Sequence, residues 1–255
     1  MAILTHYPIL TFGVFFFGLV AAAWIGALVS RRRPVQDQMG REDFNLIISA
    51  TLTLLGLIIG FSFAMAVSRY DQRKNYEEAE ANAIGTEYVR ADLLPAAEAA
   101  KMRALLLDYT DQRILFYSIP DEAQLQQVNA RTAMLQGQLW SVVQNQAVAQ
   151  PTPVNALVVA GMNDVLNSQG YTQAAFWNQI PQAAWALMAA IAIFSNVMVG
   201  IGATSSKAHP TLLWVLPLIV AVAFFLIADL DSPRRGVIHV TAQNLVSLAE
   251  SLRPR

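Results

Sequence analysis

The sequence contains no cysteine. Disulfides, thiolate metal sites and cysteine nucleophiles are therefore excluded, although this absence does not fix the compartment. Charge is scarce as well. Only 14% of the 255 residues are Asp, Glu, Lys or Arg, where a soluble domain carries about 25%. The net charge of −1 offers no basic surface for nucleic acid. The three histidines, His6, His209 and His239, stand apart, without metal-ligand spacing. There is no phosphate loop, dinucleotide fingerprint or Gly-x-Ser-x-Gly elbow. The expectation is a protein that is not an enzyme, with no catalytic residues, no cofactor and no metal. What remains is 55% hydrophobic residues, the balance of a membrane protein.

A bilayer core takes about 20 apolar residues per helix. Four segments qualify: Pro8 to Val29, Phe44 to Val67, Ala183 to Thr204, and Leu212 to Ala228. The first does not read as a secretory signal, because no Lys or Arg precedes its apolar run. Short connections join the first span to the second and the third to the fourth, so each pair reads as a hairpin. The predicted class is an all-α membrane protein: four transmembrane helices in two hairpins, with a helical soluble region inserted between them. The expected divisions are a first hairpin over 1–67, a soluble domain over 68–182 continuous with the second helix, a second hairpin over 183–229, and a C-terminal tail over 230–255.

The middle region is rich in helix formers, with prolines as punctuation at Pro95, Pro120, Pro151 and Pro153. Four helices are predicted there: one ending at Leu94, then Ala96 to Tyr117, Glu122 to Val148, and Val154 to Asn167. Asp121 is the expected N-cap of the third. Glu77, Glu78 and Glu80 read as a solvated helix face. Trp177 and Trp185 flank the start of the third span as interfacial anchors. Phe15, Phe16 and Phe17 read as a lipid-facing surface, and Asn196 as an interhelical hydrogen bond. Charge does not decide orientation: Arg31, Arg32, Arg33, Arg41 and Lys207 lie on one side, and Arg69, Arg73, Lys74, Arg234 and Arg235 on the other.

The stretch GLIIGFSFAMAVSRYDQRKNYEEAEANAIG, residues 56–85, starts apolar and ends charged without a proline. It reads as one rod leaving the membrane. Gly56, Gly60 and Ala64 recur every four residues, a small-residue seam that permits close helix approach. It suits either a packing face against another span of the same chain or a face toward the axis of an oligomer. At the lipid boundary come Arg69, Tyr70 and Asp71. Arg69 and Asp71 are too close in sequence to pair on a helix. Asp229 and Asp231, at the end of the fourth span, complete a membrane-interface charge cluster.

Gly60-Phe61, seven residues, then Arg69-Tyr70, with Ser68 before the arginine, resembles the bestrophin superfamily of anion channels. GFSFAMAVSRYDQR, EANAIGTEYVRADLLP, SNVMVG and FFLIADLDSPRRG are similar to a bacterial group described as bestrophin-like. The resemblance implies a homo-oligomer, a pentamer in the family, with four membrane helices per subunit and the second helix lining a pore. By register, Phe61 matches the innermost constriction position, Leu57 the next and Thr53 the outermost. Thr53 is polar where the family is apolar. The acidic calcium-binding cluster of animal relatives has no counterpart. The implied partners are further copies of the chain, the lipid bilayer and small anions such as chloride. The implied location is a bacterial inner membrane with the soluble domain in the cytoplasm. The functional expectation is a homo-oligomeric ion channel conducting anions. The alternative is a non-conducting scaffold or sensor whose soluble domain binds a partner.

Overall fold

The computed structural model describes residues 7–32, 38–205 and 211–253. His6, Arg33, Lys207 and His209 lie outside the described residues, as do the side chains of Arg32 and Arg41. The described residues form eight α-helices and one 3₁₀ turn. The helices are α1 (Pro8–Arg32), α2 (Gln38–Arg90), α3 (Ala96–Ser118), α4 (Glu122–Ala149), α5 (Pro153–Trp177), α6 (Gln182–Ser205), α7 (Leu212–Asp231) and α8 (Gln243–Leu252). The 3₁₀ turn, Ala91–Leu93, follows α2. Four helices are long and apolar enough to cross a bilayer.

Helix ends follow local chemistry. α2 passes through Gly60 unbroken and gives way to the 3₁₀ turn before Pro95. Asp121 caps α4 as expected, its Oδ1 accepting the Gln124 N–H at 2.9 Å. Thr152 caps α5 in the same way, with Pro153 at the first helical position. α5 runs to Trp177 rather than stopping at Asn167, because Thr172, Ala175 and Phe176 lie on its buried face. Packing of that last stretch outweighs the weak helix propensity of Asn167 and Gly170. The C-terminal tail contains α8, unforeseen in the sequence, with Leu245 and Ala249 buried.

The chain divides into two units, Met1–Arg69 with Gln179–His239, and Tyr70–Asn178 with Val240–Arg255. In the first, α1 packs against both α6 and α7. The chain-adjacent hairpins expected from loop length therefore do not describe the packing of the first span. The contact is close because it is built from small residues. A Cβ on Gly26 would overlap the Val197 carbonyl oxygen, and one on Gly200 would overlap that of Ala23. Phe15, expected to face lipid, is buried edge-on against Phe224 at 4.6 Å, while Phe17 is exposed. Trp185, expected at the interface, is buried against the same Phe224. Trp177 is exposed. Among the described residues Asn196 bonds no other helix: its Nδ2 donates to the Ala192 carbonyl one turn back, at 2.8 Å.

The second unit is a helical bundle whose core includes Ile84, Met102, Leu106, Tyr109, Phe116, Leu135, Leu139, Val158 and Met162. Phe116, Tyr117 and Phe176 stack edge to face within it.

Candidate functional site: the exposed face of the second span and the carboxylates at its exit

α2 holds most of the residues that the sequence singles out. Thr53, Leu57 and Phe61 share one stripe at four-residue spacing, and all three are exposed on the single chain. Leu57 is 53% and Phe61 64% exposed. Thr53 Oγ1 donates to the Ser49 carbonyl at 2.8 Å, so the helix itself satisfies the hydroxyl hydrogen. That bond lowers the polarity of the one departure from an apolar stripe. The seam of Gly56, Gly60 and Ala64 is likewise uncovered; a Cβ on either glycine would meet nothing within 4 Å. The expectation that the seam packs against another span of the same chain is thus not met. The close helix contact in this unit instead uses Gly26 and Gly200, in the AAAWIGA and SNVMVG stretches.

Only 11% of the apolar window of the second span is buried within the chain. The other three windows are 39%, 33% and 50% buried. A helix that is apolar all round and so little covered faces lipid or other chains.

At the end of this span, Arg69 Nη1 lies 3.3 Å from Asp231 Oδ1. The same carboxylate accepts the Ile180 backbone N–H, at 3.1 and 3.0 Å to its two oxygens. Asp231 therefore ties the end of α7 to the approach to α6 and to Arg69, just past the second span on α2. Asp229 has a separate job. Its oxygens accept the backbone N–H groups of Val237 and Ile238 at 2.6 and 2.8 Å. Gly236 is required there, because a Cβ would overlap the Asp229 carbonyl oxygen. The ADLDSPRRG run thus reads as two carboxylates that fold the chain back after the fourth span. Hydrogen bonds of this kind offset the cost of placing carboxylates near hydrocarbon. Arg235 lies over the Tyr7 ring and donates to its hydroxyl. Tyr70 packs at the edge of the second unit's core, and Asp71 is exposed.

The charges on α2 beyond Asp71 depart furthest from expectation. Arg73, Glu77, Glu80, Ile84, Glu87 and Ala91 form one stripe at alternating spacings of four and three, and all are buried. Glu78 alone of the expected solvated acids is exposed. Glu80 accepts from Arg113 through Nε and, at 3.4 Å, through Nη2. It also accepts from Thr172 Oγ1 at 3.1 Å and Tyr117 OH at 3.4 Å. Arg113 sits 4.3 Å from the Phe116 ring centroid. Burial first, and the Glu80 charge second, push the phenols of Tyr109 and Tyr117 well above the ordinary tyrosine range. Glu77 accepts the Leu245 N–H at 2.9 Å and Asn244 Nδ2 at 2.6 Å, supplying α8 with the N-terminal anion that Ala242 lacks. Hydrophobic periodicity missed this face because four of its six residues are charged. The 4–3 spacing of the charges themselves was the available signal. Among the described residues, no group of three or more His, Cys, Asp or Glu is arranged to hold a metal.

The sequence model of the Bestrophin-like domain family matches residues 17–245. No curated protein matches the sequence. Among solved structures, a bacterial bestrophin homolog from Klebsiella pneumoniae is similar over 96% of this chain and 96% of its own. It shares 13% identity, with a TM-score of 0.66. A single-substitution variant of a homolog from the same organism aligns with a TM-score of 0.67 at 12% identity, over 94% of this chain and 97% of its own. A structure described as a membrane protein aligns at 0.65 with 14% identity, over 92% and 96%. At these identities the likeness is one of fold. The match of the family model over most of the chain goes further: this protein belongs to the bestrophin-like family.

Proposed function

We propose that the protein is a homo-oligomeric ion channel conducting anions, with α2 around the central axis. The observation that carries this reading is the bare face of the second span, apolar yet only 11% buried within one chain. In a ring of copies, Phe61, Leu57 and Thr53 face the axis as successive constrictions, and the seam of Gly56, Gly60 and Ala64, whose two glycines lie about 100° round the helix from Leu57 and Phe61 respectively, meets a neighbouring copy. An apolar throat of that kind gates by excluding water and passes weakly hydrated anions such as chloride. By resemblance to the family, the proposed assembly is a pentamer in a bacterial inner membrane, with the soluble unit on the cytoplasmic side.

The absence of native cysteine makes the test clean. Single cysteines at 53, 57 and 61 are to be treated with a membrane-impermeant thiol reagent in reconstituted vesicles. A water-lined pore predicts modification at all three and block of current in planar bilayers. Unreactive thiols at all three positions, together with no conductance from verified oligomers, would instead support a non-conducting scaffold.

A further inference from the structure

The last charged residue of the buried α2 stripe has no role in the channel reading. Glu87 is fully buried, and among the described residues neither of its carboxylate oxygens has a hydrogen-bond partner. The space it occupies exists because α5 carries a glycine opposite. A Cβ on Gly161 would overlap both Glu87 Oε2 and Arg90 Nη1. Two charged groups bear on it. Arg90, on the same helix, approaches to 3.8 Å, beyond hydrogen-bonding distance, and is partly exposed. Asp164, on α5, is exposed and carries the same sign as an ionised Glu87. Glu80 has an arginine and two hydroxyls on its carboxylate; Glu87 has no donor among the described residues. An ionised carboxylate left unsatisfied in a packed interior is strongly disfavoured, while the neutral acid is tolerated.

We propose that Glu87 is a proton-binding site in the helical unit. Its neutral acid fills the notch left by Gly161, and loss of the proton to solvent drives the carboxylate out toward Arg90 and water, loosening the seam between α2 and α5. Burial, opposed by Arg90 and reinforced by Asp164, raises the carboxyl from 4.5 to about 7, so the exchange falls near neutral pH. The folded state holds the proton more tightly than the unfolded chain. The contribution to stability is therefore full below 4.5 and is lost as pH rises through about 7. This inference is independent of conduction.

The test uses the full chain in detergent micelles, followed by infrared difference spectroscopy across the neutral range. The expected result is a protonated-carboxyl band that disappears as pH rises through about 7 and is missing from Glu87→Gln. Absence of such a band in the wild-type protein, or its persistence in Glu87→Gln, overturns the assignment. If Glu87→Gln does not fold, Gly161→Ala provides a second measurement. Filling the notch pushes the carboxyl into water and lowers the titration midpoint by more than about one pH unit. An unchanged midpoint in that variant refutes the notch.

Discussion

Replacing Arg113 with methionine tests the buried charge pair at the centre of the helical unit. The substitution keeps most of the apolar volume and removes the cation. Glu80 is then left fully buried with only Thr172 Oγ1 at 3.1 Å and Tyr117 OH at 3.4 Å. Breaking a buried pair from one side costs about 3–5 kcal/mol, because an uncompensated charge remains. Two hydroxyl donors already on Glu80 place the expected value near the lower end, about 3 kcal/mol. For a domain of this size that corresponds to a fall in Tm of roughly 10 °C. Glu80→Met alone leaves Arg113 stranded against Phe116 and should cost a similar amount. The double variant removes both charges and is expected to cost less than either single change. Calorimetry on the full chain in detergent, with all four proteins compared, reads the coupling directly. Single effects that simply add in the double variant, or a shift of less than about 2 °C in Arg113→Met, would show that Glu80 and Arg113 are not an interdependent buried pair.

Gly200→Ala should push α6 away from α1, since its Cβ would collide with backbone rather than with a movable side chain. A loss of about 1–3 kcal/mol is expected, read as reduced thermal stability in detergent, with Gly13→Ala, which meets nothing, as the neutral control. Asp231→Ala strands the Ile180 N–H and breaks the Arg69 contact, and should cost about 1–3 kcal/mol. Asp231→Asn retains an acceptor and should cost less; equal losses in the two variants would contradict the hydrogen-bond assignment. Phe61→Ala removes the largest side chain of the exposed stripe and should raise single-channel conductance in planar bilayers. An unchanged current would show that Phe61 does not form the narrowest point.

Much of the fold was legible because its signals are local. The four apolar runs are long enough to span a bilayer whatever surrounds them. Pro95, Asp121 and Pro153 mark helix ends through their own backbone chemistry. Thr53, Leu57 and Phe61 are picked out by the family register, and their four-residue spacing puts them on one helix face. The candidate site was only partly legible: Asp229 and Asp231 stood out as charges beside hydrocarbon, but nothing in their spacing showed that one clamps its own loop while the other holds Ile180 and Arg69.

The sequence by itself determined the class of the protein, the number of spanning segments and the continuity of α2, because hydropathy, length and helix-breaking residues act within a few turns of chain. The tertiary structure decided which surfaces are inside. It put Glu77, Glu80 and Glu87 in the interior rather than in water, and it used Gly26 and Gly200 rather than Gly56 and Gly60 for close helix contact. The physical reason is that burial of a charge, or of a small residue, depends on partners distant in the chain: Arg113 and Thr172 for Glu80, Leu245 for Glu77, and the Ala23 carbonyl for Gly200. A periodic pattern shows which residues share a face, but not what that face meets.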